Sequence, residues 1–276
     1  MEISINGKPA DITLESEKTL GDLLAGVEKW LSVSESRISG LQIDGQNIDA
    51  VSLPEVFEKE LNNIKQINIT VSAWQELALE ALYNALKTVK VYDQTSFNEK
   101  GDIKNNWESN PAFSFLSEQM PDVSKLMVSL FKGEGTAEFI EKVISERIGE
   151  LVDPILELKN IKEVVLEIVT LLEDIPLDIQ TGKDNKAVMT IQRFSYVTDK
   201  LFRLVRLLKL QDDTLNKLIV DMLPLNDFID EYKKTLKELV EAYEVQDAIL
   251  VGDLAEYELA PRLLKLYTAL TEGRIL

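Results

Sequence analysis

The chain has 276 residues, 45% of them hydrophobic and 28% charged, and 48 acidic residues against 30 basic ones give a formal charge of −18. This composition predicts a folded protein with a sizeable core, and the charge disfavours nucleic acid and anionic membrane surfaces as partners. Cysteine and histidine are both absent, which excludes thiolate catalysis, zinc-thiolate and iron–sulfur ligation, and any mechanism that uses imidazole as base or metal ligand.

The length exceeds the usual single domain of roughly 100 to 150 residues, so two domains are expected. The opening MEISINGKPADI alternates apolar and polar residues and lacks the basic start and apolar core of a signal peptide. No stretch approaches the roughly 20 apolar residues that cross a bilayer. The expected compartment is therefore the cytoplasm.

Over the first 72 residues the period is mostly two. Ile3 and Ile5, the Asn6-Gly7 turn, then Ile12 and Leu14 predict a β-hairpin. Thr19 is the expected N-cap of a helix, answered by Asp22, with Leu20, Leu23, Leu24, Val27, Trp30 and Leu31 on its buried face. A second strand pair is expected around Ile38, Leu41, Ile43 and Ile48, turning at Asp44-Gly45. A short helix follows from Ser52 and Pro54, and a last strand alternates through Ile67, Ile69 and Val71.

This order of hairpin, helix, strands, short helix and strand resembles the ubiquitin-like β-grasp arrangement over about a quarter of the chain. Carriers and modifiers of that superfamily end in a free Gly-Gly, whereas here Val71-Ser72-Ala73-Trp74 runs straight into a helix. The resemblance therefore implies a docking module or a structural cap, and not conjugation chemistry.

From Trp74 the spacing becomes helical. Leu77, Ala78, Ala81, Leu82, Ala85, Leu86 and Val89 mark an amphipathic helix ending near Tyr92. Between about 93 and 121 the periodicity fails among Asn, Ser, Gly and Pro, and a long loop is expected, carrying Phe97, Trp107, Phe113 and Phe115. Helices are expected over Val123 to Phe131, over Ala137 to Lys159 with a break at Pro154, and over Ile161 to Ile175 before Pro176. The central helix should be Lys186 to Leu210, apolar on more than one side and so enclosed by neighbours. A short helix from Leu215 to Leu223 and a long amphipathic one from Leu225 to Tyr243 should follow.

The fold class expected is α+β: a β-grasp-like module over 1–72 and an elongated α-helical bundle over 73–276. Two places stand out as candidate sites. Trp107, Phe113 and Phe115 offer either a partner-binding surface or anchors for their segment. In the C-terminal stretch, Val251, Ala255, Leu259, Leu263, Leu266 and Leu270 form an inner stripe, with Asp253, Glu256, Tyr257 and Glu258 as a polar docking cluster beside it. No catalytic residue, metal ligand or cofactor is assigned. The functional expectation is a non-enzymatic adaptor or chaperone-like protein whose protein partner is basic or amphipathic, docking in a helix groove or on the aromatic segment. The competing class is a carboxylate-based enzyme, or a receptor for a small ligand or divalent cation.

Overall fold

The computed structural model describes residues 1–13, 17–31, 36–49 and 52–272, and Leu14 and the side chain of Phe97 lie outside what it describes. The fold is mixed α+β, an N-terminal five-stranded sheet followed by helices. The compact units run Met1–Ile148 and Gly149–Leu276, so the sheet shares its unit with the helices that follow it directly. Among the described residues no helix is long and apolar enough to cross a membrane.

In the first unit, β1 (Glu2–Ile5) and β2 (Lys8–Pro9) form a hairpin around Asn6 and Gly7, both at positive φ, but its return strand ends at Pro9, short of the Ile12 expected to continue it. The helix α1 (Leu20–Leu31) is followed by β3 (Ser36–Ile43), β4 (Gln46–Ile48), a four-residue helix α2 (Leu53–Val56) and β5 (Gln66–Ala73). The sheet order is β2-β1-β5-β3-β4, with β1 parallel to β5 and every other pair antiparallel. Register places Ile3 and Leu41 on either side of the β5 residues Ile67 and Ile69, and α1 covers that face with Leu20, Leu23, Leu24, Val27 and Leu31. Burying each such side chain is worth about 1.5–3 kcal/mol as an upper bound. Trp30, expected on this buried face, instead stands exposed on the flank of α1.

The capping box forms as the sequence implies: Asp22 accepts from the Thr19 and Lys18 N–H groups, and Thr19 Oγ1 accepts from the Asp22 N–H. Across the sheet, Asp44 Oδ1 accepts from the N–H groups of Gln66 and Lys65, each at 2.9 Å, which ties the β3–β4 turn to the start of β5. Those two bonds hold the Asp44 carboxyl below its ordinary range. Because the folded pKa is depressed, the contribution is complete above the unfolded value near 4 and is lost as pH falls through the folded one. Asp44→Asn is expected to lose less stability than the wild type between about pH 5 and pH 2, read by urea denaturation at each pH. A bulge between Ile38 and Gly40 brings Gly40 so close to Thr70 that a Cβ would lie 3.2 Å from the Thr70 Cβ. A larger residue there would require the Thr70 side chain to give by a few tenths of an ångström.

β5 passes without a linker into α3 (Trp74–Gln94), where Glu76 accepts from the Ala73 N–H. The change of period expected near residue 73 is thus a change of element within one residue. Ala78, Ala81 and Ala85 are buried along α3, and their small side chains let neighbouring helices come close.

The segment 93–121 is not a long loop. It holds a 3₁₀ turn, Phe97–Glu99, and two helices, α4 (Lys100–Glu108) and α5 (Pro111–Gln119). Asn110 caps α5 by accepting from the Ala112 N–H at 2.9 Å, with Pro111 in the first turn, so residues that read as loop-formers are helix-start signals here. The next helices are α6 (Pro121–Lys132), stopped by Gly133 in the left-handed region, and α7 (Ala137–Val152).

In the second unit, Asp153 caps α8 (Pro154–Asn160), which realises the break expected at Pro154. Then come α9 (Lys162–Glu173), α10 (Ile175–Gln180) and α11 (Asp184–Gln211), the last of 28 residues and about 42 Å long. Phe194, Val197, Leu201, Leu204, Val205 and Leu208 bury α11 in one core with α9, α12 (Leu225–Glu244) and the C-terminal helices.

Leu215 to Leu223 is not a helix. A 3₁₀ turn, Asp213–Lys217, leads into a two-residue hairpin, β6 (Ile219–Val220) and β7 (Leu223–Pro224), whose turn residues Asp221 and Met222 both have positive φ. Such a turn favours Asn-Gly or Asp-Gly, and Met222 there is 90% exposed. Met222→Gly is expected to raise stability by about 0.5–1 kcal/mol, because relief of the left-handed strain outweighs the entropy of glycine. A lower denaturation midpoint would contradict this.

The C-terminal stretch runs as α13 (Ala248–Asp253), a π-helical turn (Leu254–Leu259) and α14 (Ala260–Glu272). The wide turn accommodates Pro261, whose ring would clash with the carbonyl four residues back in an α-helix. All six residues of the expected inner stripe are buried.

Candidate functional site

α11 and α12 run antiparallel, as the pairing of Thr198 with Tyr232 and of Lys209 with Asn226 requires. Over one part of their length the space between them is filled by aromatic rings: Phe202 meets Tyr232 edge-on at 5.6 Å, and Phe228 meets Tyr232 at 6.3 Å. Burial there pushes the Tyr232 phenol well above its ordinary pKa, so that it stays neutral in the folded protein.

Towards the N-terminus of α11 this filling stops. Ala187, Val188 and Ile191 of α11 face Leu239, Val240 and Tyr243 of α12 across an open groove. It consists of a hollow of about 480 Å³, reaching Ile179, Gln246, Ala248 and Val251, and a smaller one of about 210 Å³, which share Val188, Ile191 and Tyr243. Ala187, Leu239 and Val251 are buried in its floor, while Val240 and Tyr243 on its wall are 56% and 53% exposed. Val245, Ile249 and Leu250 continue the exposed apolar surface around the α12–α13 turn. Gathered apolar exposure of this kind marks a binding surface more often than scattered single residues do.

Backbone geometry fixes the groove's end. α12 closes with paired bonds from the Gln246 N–H to the Tyr243 carbonyl and from the Asp247 N–H to the Ala242 carbonyl, which leaves Gln246 left-handed at φ 58. Glycine is the usual residue at that position. Asp247 then caps α13 by accepting from the Leu250 N–H at 3.0 Å.

The residues singled out from sequence sit elsewhere. Trp107 is buried on α4, with its ring 6.4 Å from the half-buried Phe113, and Phe115 stands 6.4 Å from Trp74. All three therefore tie α4, α5 and α3 together. The indole N–H of Trp107 is buried without an acceptor. In the C-terminal cluster Asp253, Tyr257 and Glu258 lie on the outer face and Glu256 is half-buried. Their interactions are local: Glu256 engages the Tyr257 phenol and raises its pKa, and Glu258 accepts from Arg262 at 3.0 Å.

Composition also hid the buried ion pairs of the second unit. Glu150 accepts from Arg203 Nε and Nη2, both at 2.8 Å, Glu157 accepts from Lys200 at 2.7 Å, and Asp178 pairs with Lys186 at 2.7 Å. Each of these carboxylates is engaged by at least one cation, Asp178 by Lys183 as well as Lys186. Among the described residues no three acids are grouped so as to hold a metal ion.

Comparison with known proteins divides the chain along the same elements. Residues 1–73, ending with β5, match the family model described as TP0873 N-terminal domain. Residues 157–269, from α8 into α14, match a domain of unknown function, DUF8042. A protein of Treponema pallidum (strain Nichols), described as uncharacterized, is 21% identical over 261 residues, which cover 95% of this chain and 92% of that protein. No solved structure matches. The groove, formed by α10 to α13, lies within the span of the second match.

Proposed function

We propose that this is a non-enzymatic interaction protein, an adaptor or chaperone-like bundle that docks a protein partner in the α11–α12 groove. The observation that carries the reading is the open groove, with Val240 and Tyr243 exposed on its wall where the rest of the α11–α12 seam is packed. Side chains at helical spacing on both walls suit the insertion of a partner's apolar anchors. The pairing of Glu150, Glu157 and Asp178 with cations favours this over carboxylate chemistry.

For the sheet we propose the ubiquitin-like β-grasp reading, supported by its parallel central pair, the helix on one face and the strand order. The direct passage of β5 into α3 suits a cap or docking module and leaves no free C-terminal tail for activation.

The test replaces groove residues that the core does not need. Val240→Asp with Tyr243→Ser should change stability by no more than about 0.5 kcal/mol, as exposed positions do. It should also remove at least one protein that the wild-type chain captures from native lysate, with Tyr83→Ser, equally exposed in the first unit, as the control. An unchanged set of captured proteins would refute the groove as the docking site.

A further inference from the structure

The sheet of the first unit has a strand covered along its full length on one side and along less than half of it on the other. β5 pairs with β3 from Ser36 to Ile43, whereas β4 pairs with Leu41, Gln42 and Ile43 alone. Among the described residues no strand covers the β4 side of β3 before Leu41. The open part presents backbone hydrogen-bonding groups. Val71, which stands opposite Ile38, gives its N–H and its carbonyl to the Asn6 side chain at 2.8 and 2.9 Å, away from β3. In an antiparallel pair of that kind both members turn these groups outward, so the N–H and carbonyl of Ile38 face the open side.

What the Ile38 N–H meets there is a side chain. Glu28 reaches across from α1 and accepts from it at 3.1 Å, while its other oxygen lies 3.8 Å from Arg37. A carboxylate oxygen thus stands where the carbonyl of a neighbouring strand would be, since a backbone donor set among packed groups needs an acceptor. Its stem is flexible and its side chain 39% exposed, so a strand can displace it.

Beside this edge lies a hollow of about 700 Å³ between α1, β3 and the segment after α2. Ile38 and Gly40 line one side, Leu24 and Leu41 are its buried floor, and Phe57, 37% exposed, is a wall. Ile38 packs on the α1 face of the sheet. A residue paired with it would send its own side chain to the same face, and so into the hollow. The backbone and the hollow therefore ask for the same occupant, an extended chain that is apolar at alternate positions.

We propose that the open edge of β3 takes an extended segment of a partner protein, antiparallel to β3 as β4 is. It pairs with Ile38 in place of Glu28 and sets an apolar side chain over Leu24 and Leu41. Added strands of this kind draw affinity from the main chain and specificity from alternate side chains. The inference rests on the docking reading of the sheet and is independent of the α11–α12 groove.

The probe is a fluorescein-labelled peptide of alternating Thr and Val with Lys at each end, titrated with the full chain and read by anisotropy. The valines are to face the hollow, so their amides face β3 and the threonine amides face solvent. Methylation of the valine amides is expected to weaken binding by roughly tenfold or more, and methylation of the threonine amides by less than about threefold. Ala25→Trp, at an exposed α1 position that lines the hollow, should weaken it as much as valine methylation does. Tyr83→Trp, exposed on α3, should leave it unchanged. Glu28→Ala should tighten it by about two- to tenfold, because the Ile38 N–H is then unclaimed. Equal losses from the two methylations, or no gain with Glu28→Ala, overturn strand pairing while binding that still needs the space beside Ala25 keeps the sheet a docking module. Binding that is absent, or unaffected by Ala25→Trp, overturns the docking reading of the sheet as well. Sedimentation covers the remaining occupant: a dimer lost with Ala25→Trp would assign the edge to a second copy of this chain and overturn the inference.

Discussion

Arg203→Ala is expected to destabilise the second unit by about 3–5 kcal/mol, the loss characteristic of removing one partner from a buried ion pair. Glu150 is 1% exposed, and both of its carboxylate oxygens receive hydrogen bonds from the Arg203 guanidinium. Truncation strips two charge-assisted hydrogen bonds from a carboxylate in a site closed to water, where their loss is costly. The informative companion is the double change Glu150→Leu with Arg203→Met. If the pair serves geometry and not net stability, this variant should recover most of the loss, since well-packed apolar replacements are often neutral or stabilising. Urea denaturation followed by far-ultraviolet circular dichroism reads both. A loss below about 1 kcal/mol for Arg203→Ala would mean that the pair is solvated and behaves as a surface bridge.

Phe194→Ala is expected to cost about 3–5 kcal/mol, and Phe194→Leu well under half of that. The ring is 1% exposed and belongs to the core formed by α9, α11, α12 and the C-terminal helices. Its deletion removes apolar area from the centre of the unit and leaves a cavity that rigid helices close only in part. Met189→Ala, at an exposed position of the same helix, should stay within about 0.5 kcal/mol. Similar losses at 189 and 194 would contradict the burial of α11 on which the second unit is built.

What the sequence disclosed followed from how directly each feature is coded by period. The expected central helix, 186–210, is α11 at Asp184–Gln211, and the C-terminal stripe is buried at every named residue, because a recurring apolar position is itself the cause of burial. Both tight turns of the sheet were legible because Asn-Gly and Asp-Gly are chemically suited to positive φ. The hairpin at Asp221-Met222 uses the same conformations without glycine, and no local signal announced it. The α4–α5 segment was obscured because α4 buries one side chain, Trp107, too few for a period to emerge. Asn110 and Pro111 initiate a helix and punctuate a loop with equal ease.

The groove was illegible for a different reason. Val240 and Leu239 are both apolar residues at helical spacing, yet one is 56% exposed and the other buried. The two stand about 100° apart round α12, so Leu239 meets the core while Val240 depends for cover on the neighbouring helix, from which Val188 and Ile191 stand off across the groove. Cross-helix filling of that kind is a tertiary property.

The docking claim is tested most directly by placing a photo-crosslinking amino acid at Tyr243, with Tyr83 as a matched site of equal 53% exposure, and irradiating intact cells. The expected result is a discrete heavier species from position 243 and none from position 83. No adduct at 243, or the same adducts from both positions, would contradict it.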